Sequence, residues 1–221
     1  MTGPAIIIAI DGPSASGKGT IARKLAAHFD FAWLDTGLLY RAVGLAVIRS
    51  GSDPADIDAA TTAARALINS AMITKSFTEA ELRSDIASVA ASKVAAVPAV
   101  RTALLQFQKD FCTHPPEGKK GAVLDGRDIG TVIAPQAPVK IYVTASTKAR
   151  AERRFKELQQ KDEHVTYAAV LKDMEERDAR DVLRVAAPAK PAEDAVILDT
   201  SNMTVDKAFA EALKITRQKL G

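Results

Sequence analysis

The chain has 221 residues, a formal net charge of +3, 47% hydrophobic residues and only 5% aromatics. That length suits one large domain with small insertions, and an alanine-heavy apolar content argues for closely packed helices rather than an all-β sandwich. The single cysteine, Cys112, excludes a disulfide scaffold, and a charge this small does not mark a nucleic-acid binder.

In chain order, the apolar run at residues 5–11 predicts a buried strand. A glycine-rich turn follows, then a helix over 18–29 and a second strand over 31–35. Helical sequence fills 37–111, interrupted at Gly51, Pro54 and Pro98. Short apolar runs predict a third strand at 122–125, a fourth at 139–145 and a fifth at 195–200. Helices are expected at 147–160, 166–182 and 205–220, the last capped by Thr204 or Asn202.

Continuous apolar strands alternating with helices predict an α/β fold, a five-stranded parallel sheet covered on both faces. In such sheets the ligand crevice lies at the carboxyl ends of the strands. Those ends carry Asp11, Asp35, Asp125 and Thr200. One domain spans 1–221, with a short alanine-rich insert at 51–90 and a polar segment at 156–166 expected to act as a lid. The run at 5–10 is too short for a signal sequence, and no stretch approaches the ~20 apolar residues of a membrane span. The expectation is a soluble, cytoplasmic protein without a membrane partner.

Directly after the first strand stands GPSASGKGT, residues 12–20. Gly12, Gly17 and Lys18 match the phosphate-loop spacing of Gly, four residues, Gly, Lys. Glycines let successive backbone N–H groups turn inward onto phosphate oxygens, and the helix that follows adds its positive end. Lys18 supplies a full charge. The residue after it is Gly19, so the hydroxyl of the usual pattern arrives one place later, at Thr20. The bland reading, a turn that binds nothing, is hard to reconcile with a strand before the loop and an amphipathic helix after it. Phosphate loops serve kinases, GTPases and motor ATPases alike, so the loop alone names no reaction.

Four further clusters suggest a second phosphate-bearing ligand. They are Asp35, Thr36, Tyr40 and Arg41; Asp125, Arg127 and Asp128; Arg177, Asp181 and Arg184; and Ser92 with Arg101. Arg177, Asp181 and Arg184 are spaced four and three apart, so a helix puts them on one face. Alone, that face would read as solvated ion pairs. Beside a phosphate loop, converging arginines would hold an acceptor and neutralise charge during phosphoryl transfer, which needs positioning and cations more than covalent chemistry.

These motifs resemble the bacterial-type cytidylate kinases, nucleoside monophosphate kinases of the P-loop class. The matching segments are GPSASGKGT, LDTGLLYRA, AASKVAAVPAVR, LDGRDIGTVIAPQAPVKIYVTAS, ERDARD and APAKPAEDAVILDTSNM, which together run nearly the whole chain. The resemblance implies transfer of the γ-phosphate of ATP, with Mg2+, to CMP or dCMP. It implies that Gly12, Pro13, Ser14, Ala15, Ser16, Gly17, Lys18, Gly19 and Thr20 bind ATP. Lys18, Arg127 and Arg184 would be catalytic. Thr36 and Tyr40 would line the CMP site, with Arg41, Arg127 and Arg184 on its phosphate, Ser92, Arg101 and Asp128 on cytosine, and Arg177 and Asp181 on the sugar and adjoining phosphate. Thr20 and, through water, Asp125 would meet the metal. The family implies a monomer acting on small nucleotides, with no nucleic-acid partner. Its usual β-rich insert for the monophosphate is shortened here, and only 73–77 is strand-like. A UMP or AMP kinase is the near alternative, and a P-loop switch or nucleic-acid-dependent ATPase the distant one.

Overall fold

The structure is a computed structural model that describes residues 4–69, 76–160, 164–183 and 187–221. Strand β1 (Ile6–Asp11) leads through the glycine loop to α1 (Lys18–Phe29), then β2 (Ala32–Asp35) and α2 (Thr36–Arg49). Helices α3 (Ile57–Asn69), α4 (Glu79–Leu82), α5 (Asp85–Val94) and α6 (Pro98–Thr113) follow. Strand β3 (Gly121–Gly126) runs into a single-turn π-helix, Ile129–Ile133, and on to β4 (Val139–Thr144). Then come α7 (Thr147–Gln159), α8 (Tyr167–Leu183), β5 (Val196–Asp199) and α9 (Val205–Leu220).

The five strands form one parallel sheet in the order β2-β3-β1-β4-β5. Every predicted strand is present, with ends within one residue of the expectation. The central strand β1 has a side chain for each face. Ile8 and Ile10 pack with Ile21, Leu25 and Ala212 from α1 and α9. Ile7 and Ala9 turn to the opposite face, against Leu124, Ile129 and Ile133. This two-sided burial is why these strands read as unbroken apolar runs.

The long helical stretch divides where the sequence contains its breakers. α2 ends before Gly51, which has a φ of +80°. Pro98 starts α6 rather than ending a helix, because the first helical position needs no N–H. Thr204, not Asn202, caps α9, accepting from the Lys207 N–H at 3.3 Å. Helices α2–α6 share an apolar core in which Val43, Ala60, Ala64, Phe77, Val94 and Leu104 are buried. Gly44 on α2 lets α5 come close, since a Cβ there would stand 2.6 Å from the Ala90 Cβ. The described part of 51–90 is thus mostly helical, with turns or irregular backbone at 51–56, 76–78 and 83–84 and no strand. Residues 73–75 of the strand-like stretch and 161–163 of the expected lid lie outside the described residues. Among the described residues, no single helix is long and apolar enough to cross a membrane.

Candidate active site

The phosphate loop is built on backbone positions that only particular residues tolerate. Gly12 has a φ of +148°, and a Cβ there would lie 2.0 Å from the Val143 carbonyl oxygen. Gly17 is left-handed at the N-cap of α1 and no side chain caps that helix, so its first N–H groups face the loop. The Lys18 ammonium donates to the Pro13 carbonyl at 3.2 Å, folded back across the loop.

Two cavities of about 200 and 260 Å³ meet at this loop and share Ala15. The first holds Ser14, Lys18 and Gly19 on one side. It also collects Thr36, Tyr40, Arg41, Ser92, Arg101, Asp125, Arg127, Asp128, Arg177 and Asp181. Four sequence clusters, from residues 36 to 181, therefore converge on one crevice beside the carboxyl ends of β1, β2 and β3. Arg184 lies outside the described residues.

Ion pairs organise the crevice. Arg101 donates to Asp128, and both side chains are about nine-tenths buried. Arg101 also lies over the Tyr40 ring, 5.5 Å from its centroid. Arg127 donates from Nε to Asp181 at 3.0 Å. Arg41 donates to the Leu82 carbonyl at 2.9 Å, and Arg177 donates to the Ser88 hydroxyl. The Arg177 Nε is buried with no hydrogen-bond partner among the described residues. Burial, then the Arg127 charge, push the Arg177 guanidinium down to about 9, and burial likewise lowers Arg41. Cations held this way are stabilised by an anion placed among them.

At the strand ends, Asp35 and Asp125 are register partners on neighbouring strands. Burial first, and then Asp35, push the Asp125 carboxyl well above the usual carboxylate range. Burial and Arg127 pull Lys18 down, while Asp125 and Asp35 hold it up. Trp33 donates its indole N–H to Asp125 at 2.9 Å, and Thr36 donates its hydroxyl to the Asp125 carbonyl at 2.8 Å. Gly19 lies beside this pair, since a Cβ on it would stand 3.8 Å from the Asp125 Oδ1. A buried carboxylate beside a second one, at a phosphate loop, suits a hard cation with oxygen ligands. Thr20, expected on the same cation, lines the second cavity rather than the first.

The second cavity was not legible in the sequence. It is lined by Ser16, Gly17, Arg153, Thr200, Met203 and Val205 among others. Arg153 donates to the Thr200 hydroxyl at 3.1 Å and, at the limit of 3.4 Å, to the Ala15 carbonyl. Arg150 is buried and grips Asp178 with both terminal nitrogens, joining α7 to α8. The sequence marks Thr200 only as a polar strand end, and Arg153, on a helix with no motif of its own, was missed. Arg83, at the end of α4, also lines the first cavity and was missed, because its short helix lies in the shortened insert.

A profile described as "Cytidylate kinase" matches residues 8–218. The chain is 57% identical over 213 residues to the cytidylate kinase of Paramagnetospirillum magneticum, covering 96% of this chain and 98% of that one. It is 56% identical over 214 residues to the cytidylate kinase of Rhodospirillum rubrum, covering 97% and 98%. A solved structure of an uncharacterized protein from Eubacterium ventriosum superimposes with a TM-score of 0.52 at 17% identity, covering 95% of this chain and 96% of that one, a likeness of fold alone. A phosphate loop and a second, arginine-rich crevice beside it accord with that near-complete match: the chain belongs to the cytidylate kinase family.

Proposed function

We propose that this chain transfers the γ-phosphoryl group of ATP to CMP or dCMP, releasing ADP and CDP or dCDP. The observation that carries this reading is the convergence of Arg41, Arg127, Arg177 and the Arg101–Asp128 pair on a cavity that also contains Lys18. The loop residues 12–20 hold the ATP phosphates. Lys18 offers its charge to the transferring group, and the arginines hold the acceptor phosphate, joined by Arg184 from beyond the described residues. With both nucleotides bound, the reacting oxygens are aligned and water is displaced, which supplies most of what phosphoryl transfer needs.

Cytosine carries an amino donor beside ring acceptors. Asp128 accepts from the amino group, and Arg101 and Ser92 serve the acceptors. Uracil would set a carbonyl against the Asp128 carboxylate, leaving it opposed rather than paired. Arg177 and Asp181 take the sugar and the adjoining phosphate. Tyr40 and Thr36 wall the pocket. The second cavity takes the nucleoside of ATP, with Met203 and Val205 against the base and Arg153 beside the loop.

Magnesium bound with the ATP phosphates neutralises charge on them. Asp125 through water, and Thr20 from its own side of the loop, are the residues that would hold it. The crowded Asp35–Asp125 pair is the feature that suits a cation there. The enzyme acts as a cytoplasmic monomer on small nucleotides, and the cations that matter face the crevice rather than a polymer. Segment 51–90 serves as the acceptor-side insert and 156–166 as the lid.

The test is a panel of CMP, dCMP, UMP and AMP with ATP and magnesium. CMP or dCMP should give the highest kcat/KM. A UMP or AMP value above both would replace this reading with the near alternative.

A further inference from the structure

One buried acid next to the phosphate loop has no part in the chemistry above. Asp11 ends β1 and is 5% exposed. Its side chain follows the alternation of Ile7 and Ala9, so it points to the face away from α1. There its two carboxylate oxygens accept from consecutive backbone groups, the Ile129 N–H and the Gly130 N–H, each at 2.8 Å. These begin the π-helix Ile129–Ile133, whose N-cap position is Asp128.

An aspartate at an N-cap ordinarily turns its own carboxylate back onto the first free N–H groups of its helix. Asp128 does not: it makes no side-chain cap bond, its φ and ψ are −144° and 25°, and its carboxylate meets Arg101 across the crevice. Asp11 has taken over the capping. The backbone leaves room for this at Gly130, where a Cβ would stand 3.4 Å from Asp11 Oδ2 and 3.1 Å from the Lys140 side chain. Register places the backbone of Asp11 opposite Gly126 on β3, two residues before Asp128, and opposite Tyr142 on β4.

We infer that Asp11 is a positioning residue for acceptor choice: by capping the π-helix from the neighbouring strand, it keeps Asp128 turned toward Arg101 and the base. The inference rests on the proposed function, since it acts through the base-reading role given there to Asp128. It also links the two halves of the site, because the residue after Asp11 is Gly12, the first of the phosphate loop.

Removing this cap leaves two buried N–H groups without an acceptor, and Asp128 is the nearby carboxylate able to satisfy them. Asp11→Asn keeps the shape but sets an amide NH2 against one of the two donors. The expected result is at least a tenfold fall in the CMP/UMP ratio of kcat/KM, with the KM for ATP moving less than about threefold. In an Asp128→Asn background, the same Asp11→Asn change should leave the ratio within about twofold, because the residue it acts through is already neutral.

A ratio that Asp11→Asn leaves unchanged, or KM values for CMP and ATP that rise in equal proportion, would overturn the inference. Should that variant not fold, amide exchange on the wild-type protein without nucleotide decides it. The Ile129 and Gly130 amides should be protected like those of β1 and β3, and exchange at unprotected rates would overturn it. A wild-type enzyme with no preference for CMP over UMP would remove the proposed function and this inference with it. A wild type that prefers CMP, loses that preference with Asp128→Asn and keeps it with Asp11→Asn would remove only the role of Asp11.

Discussion

Thr200 donates its hydroxyl to the Ser16 carbonyl at 2.8 Å, across 184 residues of sequence. The end of β5 thereby holds the phosphate loop from below, and Arg153 braces the same hydroxyl from α7. Thr200 is 2% exposed, so Thr200→Val removes the donor without opening a large void and strands a buried carbonyl, at about 1–3 kcal/mol. The expected outcome is a higher KM for ATP and a lower Tm, with the KM for CMP within about twofold. Initial rates at varied ATP and saturating CMP, with a thermal melt, check this.

Lys18 donates only to the Pro13 carbonyl in the described structure, a bond it can exchange for a phosphate oxygen. Lys18→Ala should lower kcat by about 100-fold or more while changing the KM for ATP much less, because its charge counts most where charge develops. An unchanged kcat in steady-state assays would remove Lys18 from the transferring step.

Asp128→Asn leaves Arg101 buried beside a neutral partner. The CMP/UMP ratio of kcat/KM should fall at least about tenfold, and stability should drop, since breaking a buried pair costs up to about 3–5 kcal/mol. Paired rate measurements on the two monophosphates and a urea titration read both effects.

Gly12→Ala meets backbone rather than a movable side chain. The Cβ would lie 2.0 Å from the Val143 carbonyl oxygen, at a φ of +148° that alanine rarely adopts. ATP-dependent turnover should be lost together with several degrees of Tm, and a melt within a degree of wild type would contradict this packing.

Asp11 carries a pH signature. Burial, only partly offset by the bonds from Gly130 and Ile129, raises its carboxyl from 3.8 to about 6. The folded state therefore binds this proton more tightly than the unfolded chain. The group's contribution to stability is fully present below pH 3.8 and is lost as the pH rises through about 6. Asparagine has no such titration. Between about pH 7 and about pH 4, wild type should gain up to about 3 kcal/mol on Asp11→Asn. Urea melts of both proteins across that range measure the difference, and parallel curves would contradict a buried carboxyl.

Local spacing alone determined much of this protein. Unbroken apolar runs marked all five strands, and one nonapeptide marked the phosphate loop, because a strand's burial and a loop's curl depend on neighbours within a few residues. The helical reading of 51–90 followed from alanine content in the same way. Sheet order is different. Only the arrangement β2-β3-β1-β4-β5 brings Asp35 beside Asp125, Thr200 under Ser16 and Asp11 under Ile129. Each of these contacts joins segments far apart in the chain, and which strands become neighbours is settled by how the helices pack on both faces. The same holds for the second cavity, whose walls come from the loop, α7 and the end of β5. It holds too for Asp128, which the fold sets at the N-cap of the π-helix while its carboxylate meets Arg101 and Asp11, 117 positions earlier, accepts from the first N–H groups.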